Sequence, residues 1–352
     1  MDSAHRDSAR LEPTATRNGR EVVPDVLRAV AIVAMLIAHA APAWGSMPGI
    51  VRTLTGNVSN LASPLFALVM GISAQLLLMR TPPRRRGVAT LQQAARGVVL
   101  IALGVWMQTW GTWVVIVLQY LGVLLIVGVP LVLLATRWVA VAAAAMFLLS
   151  DPVNAWARGH VSPVGVWSEP MQWVVLGSSY RLTNLLPFFL LGILLARHGF
   201  RRDRATWAML AIAPVPYLVR PLGERLLGWP DAVSGSYPDT LHDVGLVFAA
   251  SGVVLLLAGV RTEPWQRVVR VSFSFLASVG QLALSLYLLH IGVLWLWSAV
   301  GWHRYPDDPL LWGAVVVGTL AVGWLWWRFV GTGPVEWLMG AVTGRRRPLR
   351  GR

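Results

Sequence analysis

The sequence predicts an all-α, polytopic integral membrane protein, a bundle of about ten transmembrane helices. Three observations carry that prediction. Of the 352 residues, 56% are hydrophobic and 13% charged, whereas a soluble domain carries about 25% charged residues. The apolar residues gather into windows of about 20, the length that crosses a bilayer as a helix. The charge lies almost wholly between those windows.

Ten windows fall near residues 26–43, 57–79, 94–110, 113–135, 137–150, 182–198, 204–220, 241–260, 271–299 and 309–330. The third, fifth and seventh fit least well. The fifth is short, and Pro214 and Pro216 interrupt the seventh, so neighbouring helices must satisfy the backbone groups that proline frees. Residues 1–24 are polar and mixed in charge, which suits a disordered tail rather than a signal peptide. A single transmembrane domain is expected over residues 25–340, followed by a basic tail, residues 341–352.

Arginine sets the expected orientation. With the N-terminus inside, 24 of the 30 arginines lie on the cytoplasmic side. Only Arg52, Arg158, Arg181, Arg220, Arg225 and Arg304 lie outside, as the positive-inside rule asks. An odd number of spans would destroy this alternation, so both termini are expected in the cytoplasm. Lysine is absent, a composition that fits a GC-rich bacterial genome and hence a bacterial plasma membrane. Topology also accounts for the net charge of +14, with no need of a nucleic-acid partner. The absence of cysteine excludes disulfides, thiolate metal sites and cysteine nucleophiles, and the absence of lysine excludes Schiff-base chemistry.

His39 sits inside the first apolar window, eleven residues after Arg28. Eleven residues make about three helical turns, so the two share one helix face, roughly 16 Å apart. Ionisable groups within a membrane helix are costly and usually face a bundle interior. His290, in the outer half of span nine, and His242, between Asp239 and Asp243 at the start of span eight, reach about the same depth. A histidine near its neutral point is the usual proton carrier at neutral pH, although a structural hydrogen bond is the simpler account of any single one. His198 sits at a helix end, while His5, His160 and His303 belong to a tail or loops. No two histidines share a ligand spacing on one face, so no metal is expected. The outer loops, residues 151–180 and 221–240, carry Trp156, Trp167, Trp173, Trp229 and Tyr237. They form either an interfacial aromatic belt or the lining of an acceptor site.

Four segments, in order, resemble the transmembrane acyltransferases. Leu27-Arg28-Ala29-Val30-Ala31 through His39 is similar to their first-helix pattern Asp-x-x-Arg-Gly-x-Ala with a following histidine, Ala29 replacing the glycine. Asn60 through Gly71, containing Ser63-Pro64-Leu65-Phe66, resembles a Pro-x-Phe…Gly pattern of the heparan-α-glucosaminide N-acetyltransferase group. Val279-Gly280-Gln281-Leu282-Ala283-Leu284-Ser285-Leu286-Tyr287 is close to that group's Gly-x-x-(Ala/Ser)-Leu-(Ser/Thr)-x-Tyr signature. Gly333-Pro334-Val335-Glu336-Trp337 resembles the ending of a YeiB-like branch. Asn60 stands where relatives often carry aspartate, which removes a carboxylate at that point.

The resemblance implies transfer of an acyl group, acetyl in the first instance, from cytoplasmic acyl-CoA to an outer acceptor such as an envelope sugar or a lipid-linked one. Arg28 and Arg96 would bind the donor's phosphates, which guanidinium recognises well; the Arg84–Arg86 cluster is placed for this too, or serves topology alone. His39 would be a general base or a nucleophile. His290, or His242 with Asp243, would orient it or assist the proton, and Asn60, Ser63 and Tyr287 would stabilise the oxyanion. Glu336 and Arg328 are expected to form an ion pair or a helix-end hydrogen bond. Expected partners are the lipid bilayer, acyl-CoA, the acceptor and a second copy of the chain. The rival reading is a transporter or flippase. Against it, no Asp or Glu falls centrally in a clear span, and no repeat relates the two halves.

Overall fold

The fold is described from a computed structural model that covers residues 21–162, 164–299, 307 and 309–344. His5, His303, Arg304, most of the expected N-terminal tail and residues 345–352 of the basic tail lie outside the described residues. Among the described residues there is no strand. The principal helices are α1 (Val22–Ala40), α2 (Gly49–Met79), α3 (Arg86–Gln108), α4 (Leu118–Leu131), α5 (Thr136–His160), α6 (Leu182–His198) and α7 (Arg204–Ile212). They continue with α8 (Pro214–Leu226), α9 (Tyr237–Ala258), α10 (Trp265–Gln281), α11 (Ala283–Ala299), α12 (Pro309–Phe329, with one π-helical turn) and α13 (Pro334–Val342).

Six of these are long and apolar enough to cross a membrane: α1 with its continuation to Ala43, α2, α3, α5, α9 and α12. The bent pair α10–α11 makes a seventh if counted as one span. The difference from ten lies in α4, α6 and the α7–α8 pair. At 14 residues, α4 reaches about 21 Å, against a hydrocarbon core of about 30 Å. Pro214 opens α8 straight after Ala213, which splits the seventh window as its prolines imply. The third and fifth windows, the doubtful ones, are long helices. In α5 the helix runs on to His160 through residues expected as loop, because their polar members form one face: Asn154 is buried and bonded to Asn184 of α6. The ninth window is not continuous but turns through 71° between α10 and α11.

Helix α1 is the hub, packed against α2, α9, α10, α11 and α12. Twelve of its 19 residues are buried accordingly. Small residues let the other helices approach, as expected where lipid supplies no hydrophobic drive between them. A Cβ on Gly71 would overlap the Phe189 carbonyl of α6, and one on Gly192 the Leu68 carbonyl of α2. Gly97 of α3 and Gly122 of α4 face one another in the same way.

Candidate active site

His39 and His290 meet where α1 passes α11. His39 Nδ1 is 2.9 Å from His290 Nε2. Ring centroids 5.1 Å apart with planes 16° apart describe two rings joined edge to edge through an in-line N–H···N bond, not a face-to-face stack. His290 is wholly buried, while His39 is half-buried. The other nitrogen of His290, Nδ1, lies 3.1 Å from the Leu286 carbonyl one turn back. A carbonyl only accepts, so His290 Nδ1 carries its proton and Nε2 is left as an acceptor. His39 must then donate from Nδ1, which leaves the lone pair on His39 Nε2. That nitrogen has no hydrogen-bond partner among the described residues. One backbone carbonyl therefore decides, through two rings, that His39 Nε2 carries the free lone pair. The Tyr287 ring stands edge-on to His290 at 5.2 Å, and its hydroxyl accepts the Val117 N–H at 3.2 Å.

At the other end of α1, Arg28 donates to Asp25 at 2.8 Å, to Ser73 Oγ of α2 at 2.8 Å and to the Gly280 carbonyl of α10 at 3.4 Å. Asp25 is buried, Arg28 only half so. The contact with Ser73 gives a ruler: eleven residues along, His39 stands abreast of α2 residues near 62. Asn60 and Ser63 are thus at its depth. Asn60 makes no hydrogen bond among the described residues, and Ser63 lines a small cavity with Tyr180, Asn184, Asp239 and Asp243. His39 does not line that cavity. Arg96 is half-buried on α3, and Arg84, Arg85 and Arg86 are exposed.

His242 and Asp243 are not brought to the imidazole pair. His242 Nε2 donates to Asn57 Oδ1 at 3.2 Å, an oxygen that also accepts the Tyr217 hydroxyl at 3.0 Å. Its Nδ1 faces Asp243 at 3.8 Å, beyond a hydrogen bond. Nearby, Arg220 joins Glu224 of α8 at 3.0 Å to Asp239 of α9 at 2.9 Å.

Three features escaped the sequence. The Leu286 carbonyl has no side-chain signal at all. Asn57 reads as an ordinary polar residue near a helix start. Trp44 meets Trp312 at 5.9 Å, and Trp110 meets Trp106 at 5.0 Å and Trp295 at 6.0 Å, none of them among the loop tryptophans that the sequence singles out. Of those, Trp156 stacks on His160 and Trp167 is exposed. Glu336 forms helix-end hydrogen bonds, but to the start of α11, and no ion pair joins it to Arg328 among the described residues.

A multi-pass helical bundle holding a hydrogen-bonded imidazole pair in its interior has the makings of a membrane enzyme that handles protons. The sequence model of one family, described as an acyltransferase domain, matches residues 88–328. That is roughly two thirds of the chain, from α3 through most of α12, and the chain belongs to this family of membrane acyltransferases. No curated protein matches it. His290, His242, Asp243, Tyr287 and Arg96 lie inside the matched stretch; Arg28, His39, Asn60 and Ser63 precede it.

Proposed function

We propose that the protein transfers an acyl group from acyl-CoA on the cytoplasmic side to a hydroxyl or amine acceptor on the outer side, with His39 Nε2 as general base. The observation that carries this is the Leu286–His290–His39 chain, which leaves a basic nitrogen with no partner among the described residues. His39 Nε2 takes the acceptor's proton as the acceptor oxygen or nitrogen bonds to the acyl carbon. The acyl C–S bond then breaks, and the proton passes to the departing CoA thiolate. His290 orients His39 and stabilises the imidazolium through its Nε2 lone pair. Tyr287 packs the His290 ring, and Asn60 and Ser63, level with His39, are the donors nearest in depth for the oxyanion.

In this reading the spans number about ten. The shorter α4, α6 and α7–α8 count among them, and both termini face the cytoplasm of a bacterial cell. Arg28 and Arg96 face the donor's phosphates. Arg28 shares its guanidinium with Asp25, Ser73 and Gly280, so it meets the donor as an already oriented fork. The tryptophans about Trp110 and Trp295 suit an acceptor with a flat apolar face, such as an envelope sugar. His242, bonded to Asn57, and the neighbouring Asp243 serve the acceptor side rather than His39 directly. The Gly-Pro-x-Glu-Trp segment supports the YeiB-like branch, and the span-two and span-nine segments support kinship with the heparan-α-glucosaminide N-acetyltransferase group. A transporter built on the α10–α11 break would need an open helix end for an anionic solute, and the Glu336 carboxylate fills that end.

The test is acyl transfer from radiolabelled acetyl-CoA in membrane vesicles carrying the protein or its His39→Ala variant. Transfer by the wild type and its loss in the variant, by about 10²-fold or more, is expected. Equal turnover by both removes His39 from the chemistry.

A further inference from the structure

We infer that Glu336 is a positioning residue for the proposed reaction: reaching from α13, it fixes the start of α11 and so the place of His290 beside His39. This rests on the acyl-transfer reading of that pair. The first turn of any helix leaves backbone N–H groups without partners, and at the α10–α11 break α11 begins with no side-chain cap of its own sequence. Glu336 supplies one from 52 residues away. Its Oε1 accepts the Leu284 N–H at 2.7 Å and the Ser285 N–H at 3.0 Å. Its Oε2 accepts the Ser285 hydroxyl, whose oxygen in turn accepts the Val335 N–H at 3.1 Å. The negative charge also matches the positive end of the α11 dipole. Space for this knot exists only because residue 333 is glycine: a Cβ there would run into Glu336 Oε2 and Ser285 Oγ.

From Ser285 the helix runs five residues to His290, through Leu286, whose carbonyl sets the tautomer, and Tyr287, which packs the ring. On the near side of the break, Arg28 holds the Gly280 carbonyl. The bend is therefore gripped from both sides, by α1 through Arg28 and by α13 through Glu336. Loosening the second grip lets α11 turn or slide, and His290 leaves the line of His39 Nδ1.

The chain has no cysteine, so spin labels can be placed cleanly at Ile50→Cys and Leu296→Cys, which are 74% and 56% exposed. The full chain in lipid nanodiscs is compared with Glu336→Gln and Ser285→Ala, reading the label-to-label distance and the turnover of radiolabelled acetyl-CoA. Each variant is expected to shift or broaden the distance. Each is also expected to lower kcat by about tenfold or more while the KM for acetyl-CoA stays within about twofold. If Glu336→Gln does not accumulate, Ser285→Ala carries the comparison. Unchanged distances in a folded variant, or changed distances with kcat intact, overturn the inference. His39→Ala run alongside separates the two claims. Full activity in that variant sinks the acyl-transfer reading, whereas the label distances still decide whether Glu336 fixes α11.

Discussion

His290 shows how a fully buried residue acts on a half-buried one. Its Nδ1–H is committed to Leu286, so its Nε2 has only an acceptor's role to play toward His39. Replacing it with alanine leaves His39 Nδ1 without its partner and frees the ring to rotate. Turnover of His290→Ala is therefore expected to fall by about 10²-fold, with more activity kept in His290→Asn, whose amide oxygen still accepts. Steady-state transfer kinetics in vesicles check this ordering; a His290→Ala enzyme as fast as wild type would count against it. The two histidines were legible as ionisable groups at one depth, since their windows and orientation follow from composition. Their direct bond was not, because it depends on how α11 is rotated and on a backbone carbonyl. His242 lay at a similar depth by the same reasoning, yet its ring is turned to Asn57 on α2. Losing that partner matters: Asn57→Leu strands His242 Nε2 and the Tyr217 hydroxyl, at a cost of about 1–3 kcal/mol. A lower melting temperature in detergent is the expected result.

Among the elements, the crossing of α2 with α6 is the least forgiving. Gly71 and Gly192 each lie against a carbonyl of the other helix, so an added methyl meets rigid backbone rather than a side chain that can move. Gly192→Ala is expected to destabilise the protein by about 1–3 kcal/mol, as overpacking does, and thermal unfolding in detergent measures it. A melting temperature equal to wild type would mean that the helices separate freely. Hydropathy located most helices because burial in lipid is a property of composition. It misjudged α5, whose Asn154 is polar yet wholly buried against α6, and it passed through Leu282 without a break. At that bend the Leu284 and Ser285 N–H groups are bonded to Glu336 of a distant helix, and nothing in the residues around Leu282 announces it.

At the scale of the whole molecule, the arginine distribution predicts which end of the bundle faces the cytoplasm. A cysteine placed at exposed Arg84 is expected to resist a membrane-impermeant thiol reagent in intact cells, and one at exposed Trp167 to react. The reverse pattern would invert the direction of transfer. The junction of α8 with α9 carries a pH dependence of known sign. Hydrogen bonding from Arg220 holds the Glu224 carboxyl below its usual range. Stability from this pair is thus fully present above the unfolded value, about 4.3, and is lost as pH falls through the lower folded value. Melting curves between about pH 5 and pH 3 should decline less steeply for Glu224→Gln than for wild type.

The central claim concerns where two protons sit, and nitrogen-15 NMR of histidine-labelled protein at neutral pH reads that directly. With His39→Ala and His290→Ala used for assignment, both rings are predicted to be protonated on Nδ1, and His39 Nε2 to give the signal of a bare, basic nitrogen. A His39 protonated on Nε2 and bare on Nδ1 would contradict the account, because the nitrogen open to an acceptor would then have no lone pair to offer.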